Sequence, residues 1–321
     1  MIKKFKFLGF LLILIPIISF AQSDYPTKPI QMFIGFPPGG STDIVGRALA
    51  NEAKKYLGKE VIIINKPGAN GTVAVTYVVT SKPDGYVIGS TPSSSFTVTP
   101  LLQELSVDIL KESVPIISYA KFHVGIFVRA ESTFKNFEEF INYAKQNPGK
   151  VTYGHPGVGT RPHLVMEMIA AQAKAKLNFV AFPGDTPTVT AVLGGHIMSA
   201  GCSAGGWLPH VNAGTIRLLA ITEEERMDSF PDIPTVIELG YHFTLPTFVV
   251  LYGPRGISDL ILKKLEDSFR MAAQSIPFKE IAMKNELYTK KFMFREELTK
   301  FLYDEKEKTS EILKKLGLGK K

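Results

Sequence analysis

Phe36-Pro37-Pro38-Gly39-Gly40-Ser41-Thr42-Asp43 is the stretch of this chain whose residue types could hold a ligand. It follows an apolar, strand-like run at 30–36 and opens a helix-like run at 44–57. The first N–H groups of a helix have no intrahelical partner. The helix dipole adds about half a positive charge at that end, and glycine lets a ligand approach the main chain closely. Such a turn holds a carboxylate or phosphate without Lys or Arg. The plainer alternative is that Ser41, Thr42 and Asp43 are ordinary helix caps and the prolines and glycines an ordinary turn. Asp43 in particular reads as a cap that orients the loop, because its charge would repel an anion. Two phosphate motifs are excluded: no Gly-Lys-Ser/Thr follows, and the glycines are adjacent rather than spaced as G-x-G-x-x-G.

The same arrangement recurs. Residues 153–163 run from Tyr153 through His155, Gly157, Val158, Gly159 and Thr160 to Arg161 and His163, again strand, glycine turn, hydroxyl, helix. Pro183-Gly184-Asp185-Thr186-Pro187 precedes a helix at 188–193, and Ser203 opens another. Ser93 and Ser94 lie in a hydroxyl-rich loop after a strand, at the end where open α/β sheets bind ligands. One helix end contributes on the order of 0.3–1 kcal/mol to an anion, and about 2 when partly buried. A micromolar ligand needs roughly 8 kcal/mol. Repetition in both halves of the chain therefore points to a ligand clasped between lobes.

Other chemistry has weaker support. Ser203 or Cys202 could act as a nucleophile beside His155 or His163, but the surroundings of Ser203 are not G-x-S-x-G. Cys202 at a strand end reads as inert packing. His155 either faces a ligand from its glycine loop or is solvated, and His163 reads as a cap or loop support. Arg161 either forks onto a carboxylate or is an exposed arginine. Trp207 reads as core. One cysteine and six scattered histidines argue against a zinc site and allow no intrachain disulfide. No cofactor is expected.

The elements that must position these residues follow a βα rhythm. Residues 1–21 carry Lys3, Lys4 and Lys6, then an apolar core, then Ser19-Phe20-Ala21, the pattern of a cleaved secretory signal. Cleavage of 21 residues from 321 leaves 300, enough for two domains. Loss of three lysines takes the net charge from +7 to +4, with no basic stripe for nucleic acid. Strands are expected at 30–36, 61–64, 86–90, 114–119, 124–128, 151–153, 177–182, 196–202, 216–222 and 247–252. Helices are expected at 44–57, 72–80, 136–146, 164–173, 188–193, 259–274, 278–284 and 295–316. The chain is read as lobe 1 (22–123 plus 245–321) and lobe 2 (124–244), with the C-terminal helices packing on lobe 1.

Taken together these residues resemble the tripartite tricarboxylate transporter substrate-binding family, the Bug receptors. The matching pieces are the signal, FPPGGSTDIVGR at 36–47, the Asn65-Lys66-Pro67-Gly68-Ala69 turn, Pro83-Asp84-Gly85-Tyr86, Asn147-Pro148-Gly149-Lys150, YGHPGVGTRPHL at 153–164, and 183–195. The resemblance implies a type II periplasmic binding protein with two α/β lobes and a ligand cleft between them. It implies a carboxylated solute held largely by main-chain groups and ordered water at 36–43, with 153–160 and 183–187 as the other wall. His155 stands where the family commonly has a small residue. The expected ligand-binding set is Pro38, Gly39, Gly40, Ser41, Thr42, Asp43, Ser93, Ser94, His155, Gly157, Val158, Gly159, Thr160, Pro183, Gly184, Asp185, Thr186 and Ser203. The expected protein is a monomeric, periplasmic, non-enzymatic receptor that delivers a small organic carboxylate to membrane transporter subunits. The rivals are a ligand-sensing receptor for a signalling partner and a secreted hydrolase of an anionic substrate.

Overall fold

The computed structural model describes residues 24–242 and 245–318. The expected signal peptide, 1–21, lies outside them. In chain order the elements are β1 (Ile30–Ile34), α1 (Ser41–Leu57), β2 (Val61–Asn65), α2 (Thr72–Val79), β3 (Val87–Pro92), α3 (Ser94–Thr97), α4 (Thr99–Leu102) and β4 (Ser113–Lys121). Then come β5 (Val124–Arg129), α5 (Phe137–Gln146), β6 (Thr152–His155), α6 (Arg161–Ala173), β7 (Asn178–Ala181), α7 (Asp185–Leu193), β8 (Ser199–Ser203), α8 (Ala204–Asn212) and β9 (Ile216–Ile221). The chain closes with β10 (Phe248–Pro254), α9 (Asp259–Gln274), α10 (Ile276–Lys284) and α11 (Arg295–Leu316).

Among the described residues the strands form two five-stranded sheets, ordered β2-β1-β3-β10-β4 and β7-β6-β8-β5-β9. In the first, β1 runs parallel to β2 and β3, and β10 runs antiparallel to β3 and β4. The second repeats this plan: β6 is parallel to β7 and β8, and β5 is antiparallel to β8 and β9. Helices cover both faces of each sheet, as buried parallel strands require. On the first sheet, Val45, Leu49 and Ala53 of α1 pack with Leu265 and Phe269 of α9 and Phe278 of α10. The opposite face holds Val75 and Val78 of α2, Phe96 of α3, and Leu298 and Leu302 of α11. A Leu or Phe fully buried in this way contributes roughly 1.5–3 kcal/mol.

The chain passes between sheets where β4 ends at Lys121 and β5 begins at Val124. It returns before β10. The two crossings are bonded together: Phe122 N–H donates to the Thr247 carbonyl (2.9 Å). The last helix departs from expectation. Its Phe301 and Leu302 belong to the first lobe, but Ile312 and Leu313 pack with the second-lobe core around Leu164, Val165 and Ile169. Apolar residues in two separate groups of this 22-residue helix, at 298–303 and 312–313, allow it to span both lobes.

Candidate functional site

Three helices begin three residues earlier than their apolar periodicity implies: α1 at Ser41, α6 at Arg161 and α7 at Asp185. The hydroxyl and acidic residues read as caps therefore lie in first turns. The N-cap positions are Gly40, Thr160, Gly184 and, for α8, Ser203, and none makes a side-chain cap bond. First-turn amides without a cap side chain are open to a partner from elsewhere, and the Ser41 amide has one in Asp185 Oδ2 (3.4 Å). The four ends, one from the first lobe and three from the second, border one narrow hollow.

Of the expected ligand residues, Gly40, Ser41, Thr42, Ser94, Thr160, Asp185, Thr186 and Ser203 line this hollow. Gly157, Val158 and Pro183 line a neighbouring groove that shares Phe36, Asn70 and Pro156 with it. Ser93 sits behind, its amide donating to the Phe248 carbonyl (2.8 Å) and its hydroxyl accepting from Phe248 N–H (3.3 Å). Pro38, Gly39, Asp43, His155, Gly159 and Gly184 do not line the hollow.

Asp43, Gly39, His155 and Gly159 instead take part in bonds that hold the turns around it. Asp43 folds back on its own loop: Oδ2 accepts from Gly39 N–H (3.0 Å) and Arg47 Nε (2.9 Å), and Oδ1 accepts from Asn65 Nδ2 (2.8 Å). Burial opposes its ionisation, but the Arg47, Gly39 and Asn65 bonds outweigh burial and hold its carboxyl below the usual range. Asn65 Nδ2 also donates to the Phe36 carbonyl (3.0 Å), so this network sets the shape of the 36–40 turn. The Gly39 amide, expected to face a ligand, is taken up by Asp43. Gly184 approaches across the lobes, and a Cβ there would lie 2.9 Å from Pro37 Cδ.

His155 is a correction of a different kind. It is buried, and its ring stacks on His163 with centroids 4.4 Å apart. His155 Nδ1 meets the Gly157 carbonyl (2.9 Å), and His163 Nδ1 accepts from Gly159 N–H (3.3 Å). The pair braces the 157–160 turn from behind. Burial, and then His163, push His155 down to about 3 from 6.5, against a smaller opposing pull from Gly157. The unfolded chain thus binds a proton below pH 6.5 that the folded chain refuses. Stability falls with pH across that window, by about 2 kcal/mol between pH 7 and pH 5. Urea unfolding of His155→Gln should show that much less pH dependence than the native protein. An unchanged slope would refute a neutral, buried His155.

Arg161 is neither exposed nor free to fork onto a ligand. It is buried, and its Nη1 and Nη2 donate to the carbonyls of Phe122, on the first crossing, and Thr222, at the end of β9. Its Nη2 also pairs with Glu223 Oε1 at 2.9 Å. Lys121 Nζ reaches the other Glu223 oxygen at 2.8 Å. Burial opposes ionisation of Glu223, but Arg161, with His123 and Lys121, holds its carboxyl below the usual range. The guanidinium ties the first crossing to the end of β9, with Nε alone left without a partner.

Pro156 lies in the 153–160 stretch expected as a wall; the hollow's other wall residues, Asn70, Pro92, Phe122, Val124, Pro162 and Thr247, were not in the expected set. Asn70 had a signal. It closes the Gly68-Ala69-Asn70 turn with φ of 51°, a left-handed conformation that asparagine tolerates. Ser95 Oγ donates to the Asn70 carbonyl (2.6 Å), and Asn70 Nδ2 donates to Thr99 Oγ1 (2.9 Å). The hydroxyl-rich segment, with Ser94–Thr97 helical rather than a loop, thus mostly supports this turn.

Ser203 has no histidine beside it. Its hydroxyl donates to Asp185 Oδ2 (2.6 Å), and both candidate histidines are engaged with the 157–160 turn. Cys202 is buried in the core with Trp207, and burial, with Asp185 adding to it, pushes its thiol well up. Among the described residues no group of three or more His, Cys, Asp or Glu is placed to hold a metal. None of the described helices is long and apolar enough to cross a membrane.

Two α/β lobes of matching mixed topology, joined by paired crossings and meeting at helix N-termini, define a type II periplasmic-binding-protein fold. The sequence model of the tripartite tricarboxylate transporter family receptor, TctC, matches residues 45–318, and the chain belongs to that family. A Cupriavidus necator protein encoded in the gbd 5' region is 36% identical over 94% of this chain and 91% of its own length. The periplasmic binding protein BugD superposes with a TM-score of 0.87 at 26% identity, covering 92% of this chain and all of its own. An R. palustris protein solved with adipate has the same fold at TM-score 0.87 and 21% identity, over 92% of this chain and 99% of its own.

Proposed function

We propose that this protein is a periplasmic receptor that closes its two lobes on a small organic carboxylate and delivers it to the membrane subunits of a tripartite tricarboxylate-type transporter. One observation carries the reading: four helix N-termini without side-chain caps, drawn from both lobes, border a single hollow. Each end favours an anion through its free amides and dipole. Convergence lets several small contributions sum to a useful affinity. Contacts to both lobes exist only when they are closed, so the ligand shifts the population toward closure. The closed form is then the signal that membrane subunits recognise. The adipate complex of the R. palustris relative supports a carboxylate as the ligand class.

A thermal-shift series on the signal-free chain tests this. A carboxylate at 100 times its Kd should add about 2.7 kcal/mol. That corresponds to a rise on the order of 5–10 °C in melting temperature. Sugars and phosphate should produce no shift. A response to those ligands, with none to any carboxylate, would remove the carboxylate reading.

A further inference from the structure

The hollow contains a carboxylate of the protein's own. Asp185, in the first turn of α7, is buried at the meeting point of the lobes. Its Oδ2 accepts from the Ser203 hydroxyl (2.6 Å), the Ser41 hydroxyl (2.8 Å) and, at 3.4 Å, the Ser41 amide. Its Oδ1 accepts one long bond, from the Ser203 amide at 3.4 Å. Ser41 belongs to the first lobe and Ser203 to the second. Asp185 therefore already occupies the position where the helix ends of α1 and α8 would grip an incoming anion.

Charge in the hollow follows from this. Among the described lining residues, Arg161 and Asp185 are the charged ones. The Arg161 charge is met by Glu223. Asp185 faces hydroxyls and amides and no cation, which leaves the hollow short of positive charge. Burial accordingly pushes its carboxyl up, and the serine bonds offset part of that push. Two further atoms on the lining residues are buried without a hydrogen-bond partner, the donor Arg161 Nε and the acceptor Asn70 Oδ1. The site thus offers acceptors as well as donors.

Building on the receptor reading above, we propose that Asp185 makes the hollow selective for a zwitterion, a small monocarboxylate carrying an ammonium group, and against di- and tricarboxylates. The ligand carboxylate takes Arg161 Nε–H and the free first-turn amides. The ammonium, with three donors, supplies the charge that Asp185 lacks and donates to Asp185 Oδ1, with Asn70 Oδ1 as a further acceptor on the lining. A second ligand carboxylate placed there would face Asp185 in a desolvated site, where two like charges force one to take a proton. Asp185 is in this sense a specificity-determining residue, acting by attraction to one ligand class and repulsion of another.

Isothermal titration of the signal-free chain tests the assignment with two probe sets of matched size. The zwitterions are alanine, 3-aminopropanoate and 4-aminobutyrate; the dicarboxylates are malonate, succinate and glutarate. The native protein should bind its best zwitterion at least about tenfold more tightly than its best dicarboxylate. Asp185→Asn and Asp185→Ser, each checked for a native melting transition, should shrink that ratio at least about tenfold. Equal or tighter dicarboxylate binding by the native protein, or a ratio unmoved in the folded variants, overturns the selectivity while the receptor reading stands. No response of the native protein or the variants to any carboxylate overturns both.

Discussion

Gly205→Ala is expected to abolish tight ligand binding while leaving the unliganded protein as stable as before. Gly205 lies in the first turn of α8, in the second lobe. A Cβ there would sit 2.7 Å from Ser41 Oγ and 3.0 Å from Ser41 Cα, across the cleft. The hydroxyl could rotate away, but the Cα is backbone at the start of α1. The lobes would have to part to admit the methyl. Overpacking of this kind costs about 1–3 kcal/mol, which is on the order of 10- to 100-fold in affinity. Alanine is also the better helix former, by about 1 kcal/mol, so each lobe should keep its fold. Titration calorimetry and a melting curve, measured together, separate the two effects. Full affinity in Gly205→Ala would mean that binding does not bring α1 and α8 into contact.

Arg161→Ala should be the most damaging single change to stability. The side chain holds the Phe122 carbonyl of the first crossing and the Thr222 carbonyl after β9, and it neutralises Glu223, which is buried. Removing one partner of a buried pair costs about 3–5 kcal/mol when the other charge is stranded; Lys121, 2.8 Å from Glu223, places the cost at the lower end of that range. The expected fall in melting temperature is on the order of 10 °C. The carboxyl of Glu223 is held below its usual range, so the folded chain resists its protonation more than the unfolded chain does. That contribution is present above the unfolded pKa and lost as pH drops through the folded one. The penalty of Arg161→Ala should therefore shrink in acid. The double variant Arg161→Met with Glu223→Leu should recover much of the loss, since a packed apolar pair often matches a buried ion pair. A double variant as unstable as Arg161→Ala would assign the effect to the lost carbonyl bonds instead.

The βα rhythm was legible in the sequence because it is local. Apolar spacing located α1, α5, α9 and α11 and the strands at the sheet centres. Asn136 also caps α5 as its spacing with Glu139 indicates, accepting from the Glu139 amide at 2.8 Å. Helix starts were misplaced by a few residues for a common reason. Apolar periodicity begins only when a helix meets its core, whereas the first turns of α1, α6 and α7 border the hollow or brace its loops with residues such as Ser41, Arg161 and Asp185. The glycine packed most tightly across the cleft is not one of those in the expected ligand set. Gly40 has extended backbone, and a Cβ there would meet nothing nearer than the Pro37 carbonyl at 3.7 Å. The tight approach is at Gly205.

By itself, the order of residues determined that glycine turns with hydroxyls would precede helices in both halves of the chain. It also established the resemblance to a receptor family. Local rules suffice for that, since turn chemistry and periodicity act within a few residues. Only the tertiary structure decided which side chains share one space. Ser41 and Asp185 stand 144 positions apart yet bond at 2.8 Å. His155 and Asp43 turn away to brace their own loops, and Arg161 fastens the crossings. Direction and partner depend on how two sheets pack and meet, and no spacing along the chain encodes that meeting.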